Sequence, residues 1–558
     1  MSRVLRMAKK KSRGNFMMQG AILGVSSIIV RMIGILYRVP LNNILGEKGV
    51  AYYGMAFEVY SFLLLLSSYS LPLAVSKMVS KRVTLREYKN TRRIFGFALG
   101  FAVCIGLVAF AVTYFGSDFF ARLLNFPQSA IALRTLSFGL IIMSVLGVMR
   151  GYFQGLGTMV PTALSNILEQ IVNAAVSLIA ASAFYKAALV ATTHKYSFPN
   201  VPEAMGASGG TLGTVCGAGS ALVFLVVLYL LYRKTIKSQV ENDQTLHKEG
   251  MGSILKVLIL TIIPVILSTT IYNLSGLVDS GLFSNIMTSR GMNHNLIDTY
   301  VGMFTGNYRL IVNVPIALAS ALASSLIPSV VKSMTEGNRG IVIRKIDSAI
   351  KVTMMVAMPC TVGIGVLAKP IVNLLFPTSV DPDRVALMLM IGCISVVLYS
   401  LSTITNSILQ GIDKMRIPVI HSAIALVAHA VLLIGMLYIL KIDIFAVVIC
   451  DMFFSFLVCF LNAMSLKKYL GYKQEKVRTF VLPAVCSLIM GVFVFFIHFL
   501  VRKLLHSNTI AVIVAILFGV LIYAIALLLL KVLDVDELYM LPGGTKIISL
   551  ARKLHLLK

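Results

Sequence analysis

Charged side chains are scarce in this chain. Asp, Glu, Lys and Arg make up 13% of its 558 residues against 58% hydrophobic ones, and the mean hydropathy is +0.88. That excludes a soluble globular domain and reads as a polytopic membrane protein. Acid is scarcer still: 22 Asp and Glu stand against 50 Lys and Arg, a formal net charge of +28. Nucleic acid is not needed to explain it, because basic cytoplasmic loops lie against an anionic leaflet; membrane lipids are an expected partner and nucleic acid is not. Cysteine is limited to Cys104, Cys216, Cys360, Cys393, Cys450, Cys459 and Cys486, all within apolar stretches. Their spacing matches no metal set, so they read as small core hydrophobes, and neither disulfides nor zinc are expected. Catalytic signatures are missing too. There is no GxxxxGK[ST], no HExxH and no GxSxG, and the longest outer loop, about 186–208, holds His194, Lys195 and Glu203 but no paired carboxylates. An enzyme is not expected, no cofactor is implied, and any work done must draw on a proton or sodium gradient, the membrane potential or the substrate's own gradient. Nor is a cleavable signal peptide expected: the first thirteen residues are polar and basic, and the apolar run from Ala21 reads as a retained span.

What the chain has instead is a succession of apolar runs about 20 residues long, enough to cross roughly 30 Å of hydrocarbon. Fourteen are expected, at about 20–44, 53–76, 94–115, 130–154, 162–184, 209–232, 255–286, 300–330, 352–375, 385–410, 417–440, 445–466, 479–500 and 509–532. Only helices satisfy their own backbone in lipid at these lengths, so the fold is expected to be an all-α bundle. On this map the loops of one side hold about 35 Lys and Arg, among them Lys9, Lys10, Lys11, Lys81, Arg82, Arg92, Arg93, Lys467 and Lys468, and the other side about nine. The excess marks the cytoplasmic face and puts both termini there.

A repeat is written into the pattern. Leu71-Pro72-Leu73-Ala74-Val75-Ser76-Lys77 closes the second span as Ile327-Pro328-Ser329-Val330-Val331-Lys332 closes the eighth, and Phe153-Gln154-Gly155 matches Leu409-Gln410-Gly411; both pairs share an offset of 256 residues. The expected organisation is therefore a basic N-terminus (1–19), one six-helix lobe (20–232), a polar linker (233–254), a second six-helix lobe (255–466), two extra helices (467–532) and a tail (533–558). Two halves of one topology would place a substrate site between them near the midplane.

The polar residues kept at membrane depth carry the functional signal. A cation in hydrocarbon costs several kcal/mol unless it faces a wet, protein-lined cavity or an opposite charge. Arg31 and Arg38 stand seven residues apart, so they share one helix face about 10 Å apart, with Gly34 leaving room between them. Two guanidinium forks so spaced suit a diphosphate or another multi-anionic group. Arg38, nearer the span's end, also reads as a side chain that snorkels to water. Arg309 lies among Asn307, Tyr308 and Asn313, a stretch too wet for a lipid-facing helix. Glu58, Glu169, Asp279 and Asp451 supply the counterweight, each either neutralising an arginine or exchanging a proton or sodium ion for it. Asp279, with Asn273, Ser275, Gly276 and Ser280 around it, is the stretch best able to take a cation such as sodium. His421 and His429, two turns apart, read as satisfied interior histidines or a proton relay. The glycines at 206, 209, 210, 213, 217 and 219 read as a close-packing face in the sixth span.

Several of these segments carry a resemblance: Arg31-Met32-Ile33-Gly34, Leu45-Gly46 with Tyr53-Gly54, Leu71 to Lys77, and Arg150-Gly151-Tyr152-Phe153-Gln154-Gly155 continuing through Val160-Pro161 to Glu169-Gln170. Across essentially all 558 residues the chain resembles the polysaccharide transporter branch of the MOP flippase superfamily. Within it the chain is most similar to the SpoVB/YtgP type of Gram-positive bacteria, relatives of the MurJ-type lipid II flippases. The resemblance implies a V-shaped, two-lobed bundle of fourteen helices in a bacterial plasma membrane. It implies a flippase that moves an undecaprenyl-diphosphate-linked precursor, lipid II in the MurJ-like members, to the outer leaflet by alternating access. It also implies that Arg31, Arg38 and Arg309 engage the lipid diphosphate, that the protein works as a monomer, and that cell-wall synthesis proteins are its neighbours. The MurJ pattern sets its first-helix arginines six apart with an acid after the second. Here they are seven apart and Val39 follows, a departure from that pattern at Arg38.

Other readings compete. Another lipid-linked oligosaccharide, for capsule or exopolysaccharide, would use the same site. A MATE-like exporter of cationic drugs would want carboxylates in place of Arg31 and Arg309. A polyprenyl-phosphate glycosyltransferase would need acids in an outer loop, where Asp381, Asp383 and Arg384 are the place to look. A wall-morphogenesis scaffold would need no transport at all.

Overall fold

The computed structural model describes residues 2–532 except 69, 195–199, 246 and 336, and helical side chains except those of 2–21, 24, 25, 192–194, 263–265, 267–273, 322–329, 332 and 335. The expected tail at 533–558 and the side chain of Asn273 lie outside the described residues.

Among the described residues the regular structure is all helical, as an all-α membrane bundle requires. The helices are α1 (Ser2–Ser67), α2 (Leu71–Thr84), α3 (Tyr88–Leu123), α4 (Ser129–Gly155), α5 (Val160–His194), α6 (Val201–Glu241), α7 (Met251–Asn273), α8 (Ser275–Ser289) and α9 (His294–Gly302). After a π turn (Met303–Tyr308) come α10 (Arg309–Thr335), α11 (Arg339–Val366), α12 (Ala368–Leu375), α13 (Pro382–Gly392), α14 (Ser395–Gly411), α15 (Arg416–Tyr438) and α16 (Phe445–Leu470); a second π turn (Val477–Val481) precedes α17 (Leu482–Leu505) and α18 (Asn508–Leu529).

Ten of these stretches are long and apolar enough to span a membrane, or eleven with α13 and α14, bent by 48°, taken as one. That count is compatible with the fourteen expected, since α7 and α10 run partly through side chains outside those described. The first two expected spans fall in the single stretch Ser26–Thr84, the seventh breaks at Leu274 between α7 and α8, and the eighth is interrupted by the π turn. Where the sequence suggests a loop after residue 44, α1 only kinks: Gly46 takes φ 63° and ψ 174°, backbone that essentially only glycine adopts.

The chain forms two compact units, Met1–Gly306 and Asn307–Lys558. In the first, α6 packs along α5 through a glycine face spaced by four. A Cβ on Gly209 would strike the Ala180 carbonyl, one on Gly213 the Ser177 hydroxyl, and one on Gly217 would lie 2.6 Å from the Glu169 carbonyl oxygen. Such small residues let helix backbones approach where lipid supplies no hydrophobic drive. Gly213→Val is expected to cost about 1–3 kcal/mol by overpacking, read as a lower melting temperature in detergent. Gly219→Ala, with nothing within 4 Å of its Cβ, should not lower stability and gains helix propensity.

The two repeated sequence motifs meet in this unit. A Cβ on Gly151 would lie 2.6 Å from the Pro72 carbonyl and one on Gly155 2.6 Å from Val79, so the segment after Arg150 packs on α2. Phe95, Tyr152 and Tyr229 cluster beside it, with Phe95 4.3 Å and 5.3 Å from the other two ring centroids. The polar stretch after α6 is pinned down. Lys89 N donates to Asp243 (2.7 Å), Asn90 Nδ2 donates to the His247 carbonyl (3.0 Å), and Arg82 pairs with both Glu87 and Glu249. The Asn90 amide and the Arg82 guanidinium hold the Glu87 carboxyl below its usual range. Burial would push Asp243 up, but the Lys89 and Thr245 donors hold it down as well.

In the second unit, α17 and α18 dock on α11 and α12. Tyr523 donates to the Met355 carbonyl (2.9 Å) and Asn508 to that of Pro370 (2.9 Å), over a cluster of Leu367, Met490 and Val494. Phe495, Phe496 and Phe499 remain exposed, the side chains a hydrocarbon solvent accepts.

Candidate functional site: arginines at membrane depth and their partners

On α1, Arg31 is exposed and Arg38 half-buried. Between them Gly34 faces α5, where a Cβ would lie 3.9 Å from Gln170 Oε1. One residue before Arg38, the buried Tyr37 accepts from Asn173 Nδ2 of α5 (3.3 Å). Arg38 lies over the Phe57 ring, 5.8 Å from its centroid, and Phe57 stacks on Tyr53 at 5.9 Å. Cation–π attraction of this kind holds a guanidinium in place. Tyr53 and Tyr60 both lie against Phe57, and their hydroxyls are buried without a hydrogen-bond partner among the described residues. Glu58, one residue beyond Phe57, is half-buried.

Glu169 sits in a different setting. It accepts from Arg150 Nη2 (2.7 Å), with side chains only 13% and 15% exposed, while Arg150 Nε donates to Ser165 (3.1 Å). Neutralisation of an arginine, one of the two readings the sequence allows for this acid, is therefore what the geometry displays. Asp279 is wholly buried on α8, and the neighbouring Ser280 and Ser284 hydroxyls are buried without a hydrogen-bond partner among the described residues. No group of three metal-ligating side chains occurs among the described residues.

In the second unit, Arg309 opens α10 directly after the π turn, a local widening that often marks working sites. Its Nη2 stands 3.5 Å from Asp451 Oδ1 on α16, and Tyr399 of α14 donates to the same oxygen at 2.7 Å. The carboxylate is buried, at 4% exposure. Two donors from two helices thus share one acid: the hydroxyl holds it closely and the arginine at the limit of pairing distance. Asn307 is buried and Asn313 exposed, so only the first belongs to the interior of its unit.

The remaining candidates resolve into structural contacts. His421 Nδ1 meets Asn462 Oδ1 (2.8 Å) and His429 Nδ1 the Cys450 carbonyl (2.8 Å), separate partners that satisfy each ring. Asp381 caps α13 and pairs with Arg384 (3.1 Å), Arg384 also pairs with Asp443 (2.6 Å), and Lys369 pairs with Asp383 (2.7 Å). These loop acids are thus each committed to a cation. Sequence reasoning missed Tyr399 altogether, and no local signal distinguishes it from any tyrosine in an apolar helix. Arg150 stood in a recognised motif, but its pairing with Glu169 is visible only across helices.

Comparison with known proteins bears on the whole chain. The family described as "Polysaccharide biosynthesis protein" matches residues 17–207, and the family "Lipid II flippase MurJ" matches residues 197–516, more than half of the chain. "Lipid II flippase MurJ" of Bacillus subtilis (strain 168) is 25% identical over 506 residues, 87% of this chain and 88% of that protein. "Stage V sporulation protein B" of the same organism is 23% identical over 540 residues, 95% of this chain and 98% of that protein. The solved structure "Lipid II flippase MurJ, inward closed conformation" superposes with a TM-score of 0.62 at 14% identity, covering 91% of this chain and 98% of its own. At that identity the likeness speaks for the fold alone.

Proposed function

Since this chain belongs to the lipid II flippase MurJ family, a family of transporters and not of enzymes, we propose that it moves an undecaprenyl-diphosphate-linked cell-wall precursor, lipid II first among them, to the outer leaflet of a bacterial plasma membrane. The observation that carries this reading is the retention of Arg31 and Arg309 in helices otherwise apolar enough to span lipid. A drug exporter handling cations has no use for them.

The chemistry required is modest. No bond is broken; the protein lowers the cost of taking a charged headgroup through hydrocarbon while the polyprenyl tail stays in lipid. Arg31, with Arg38 beside it, and Arg309 would each present a fork of donors to phosphate oxygens. The 3.5 Å separation of Arg309 from Asp451 supports an exchange in which a diphosphate oxygen takes the guanidinium and Tyr399 keeps the acid. Alternating access then needs only that the bound headgroup favour an occluded state over either open one, with the repeats at 20–232 and 255–466 as moving bodies. A proton or sodium gradient or the membrane potential would drive the cycle. The excess of basic residues in the loops of one side supports a cytoplasmic position for both termini.

The test is reconstitution of the purified protein in vesicles with lipid II on the inner leaflet and a membrane-impermeant probe outside. Lipid II should become accessible, and faster than in vesicles without protein. If lipid II stays inside while another undecaprenyl-diphosphate-linked glycan moves, the substrate assignment fails and the flippase reading stands. If neither moves, the flippase reading fails.

A further inference from the structure

Asp298, near the start of α9, takes no part in the cycle proposed above. It is 5% exposed, makes no ion pair among the described residues, and accepts one side-chain hydrogen bond, from the hydroxyl of Tyr52 on α1 (2.6 Å). Tyr52 is wholly buried. The cation closest in the sequence of α1, Lys48, is engaged elsewhere: its Nζ donates to Asn200 (3.1 Å) and Asn295 (3.0 Å), which also bond to each other (2.8 Å).

The surroundings are closely packed. A Cβ on Gly302 would strike the Glu47 carbonyl and one on Gly306 the Val50 side chain, while Asn42 Nδ2 donates to the Gly306 carbonyl (2.7 Å). The second half of α1 and the segment 298–306 therefore behave as one clasp, and the chain reaches Arg309 three residues further on. A carboxylate held there by a single hydrogen bond is expensive, because burial disfavours its charged form.

We propose that Asp298 is a proton-binding site, and that uptake and release of its proton tighten and loosen the clasp between α1 and the segment leading into Arg309. The charged and titratable groups around it are His294 on α9 and Lys48 and Tyr52 on α1, with Glu203 at the start of α6 acting on Tyr52 and Glu47 of α1, whose backbone lies against Gly302. Burial pushes Asp298 up to about 6, against the opposing pull of the Tyr52 hydroxyl, His294 and Lys48. A carboxyl raised above its unfolded value favours the folded clasp at low pH and loses that contribution as pH rises through its native value. The clasp is therefore tightest below the ordinary carboxyl value of about 3.9 and loosens as pH rises from there through about 6. That this proton couples to transport rests on the flippase reading; that it binds does not.

Hydrogen exchange of residues 294–306 in the full chain in nanodiscs, corrected for intrinsic rates, tests the binding. Protection should fall as pH rises from about 4 to about 6 in the wild type and be flat across that range in Asp298→Asn. Tyr52→Phe, which removes the bond that favours the charged form, should move the midpoint upward. An unchanged pH dependence in Asp298→Asn, or a midpoint near 4, would overturn the proposal. For the coupling, the pH profile of lipid translocation should flatten in Asp298→Asn; an unaltered profile overturns that part. A wild type that translocates nothing overturns the flippase reading instead, while the exchange result stands by itself.

Discussion

Alanine at Arg309 is expected to cut outward delivery of the lipid-linked precursor by about a hundredfold or more. A guanidinium offers phosphate two parallel charge-assisted bonds, each worth about 1.5–3 kcal/mol, and about 1.4 kcal/mol is a tenfold change in rate. The same change takes the cation away from the buried Asp451, so the single variant is compared with Arg309→Ala/Asp451→Asn, which removes that charge as well. The double variant should recover folded yield but not transport. Arg309→Lys keeps the charge without the fork and should fall between. Arg31→Ala should act in the same direction, and Arg38→Ala less strongly, since Arg38 is held against Phe57. The measurement is precursor accessible to an external probe in cells depleted of the native protein and complemented by each variant. Outward precursor at wild-type levels with a well-expressed Arg309→Ala would show that the arginine does not handle the headgroup.

The second large effect is on stability. Arg150 and Glu169 form a pair across α4 and α5 that is 13% and 15% exposed, inside helices that span lipid. Removing one member leaves a charge with nowhere to go, so Arg150→Met is expected to destabilise the protein by about 3–5 kcal/mol, while Arg150→Met/Glu169→Leu should regain most of the loss. Thermal unfolding in detergent reads both. If Glu169→Gln abolishes transport with its melting temperature intact, Glu169 exchanges an ion during the cycle and is more than a structural partner.

The membrane class, the helical fold and the close-packed face of α6 were legible in the chain itself, because each rests on a local property. Hydropathy over about 20 residues reports a span, and glycines spaced by four report a face. The arginines stood out for the same reason, as charges in greasy runs. Breaks were harder to read. The kink at Gly46, the gap at Leu274 and the π turn before Arg309 interrupt segments whose hydropathy is continuous, so a window average passes over them.

What the sequence by itself determined is therefore the solvent this protein lives in and which side chains are costly there. Which partner meets each costly side chain was decided only by the tertiary structure. Glu169 meets Arg150, Arg309 meets Asp451 while Tyr399 holds the acid, and Asp298 meets the hydroxyl of Tyr52 with no cation at pairing distance among the described residues. The cost of a buried charge depends on the few ångströms around it, and those neighbours come from helices whose separation along the chain carries no trace of their contact.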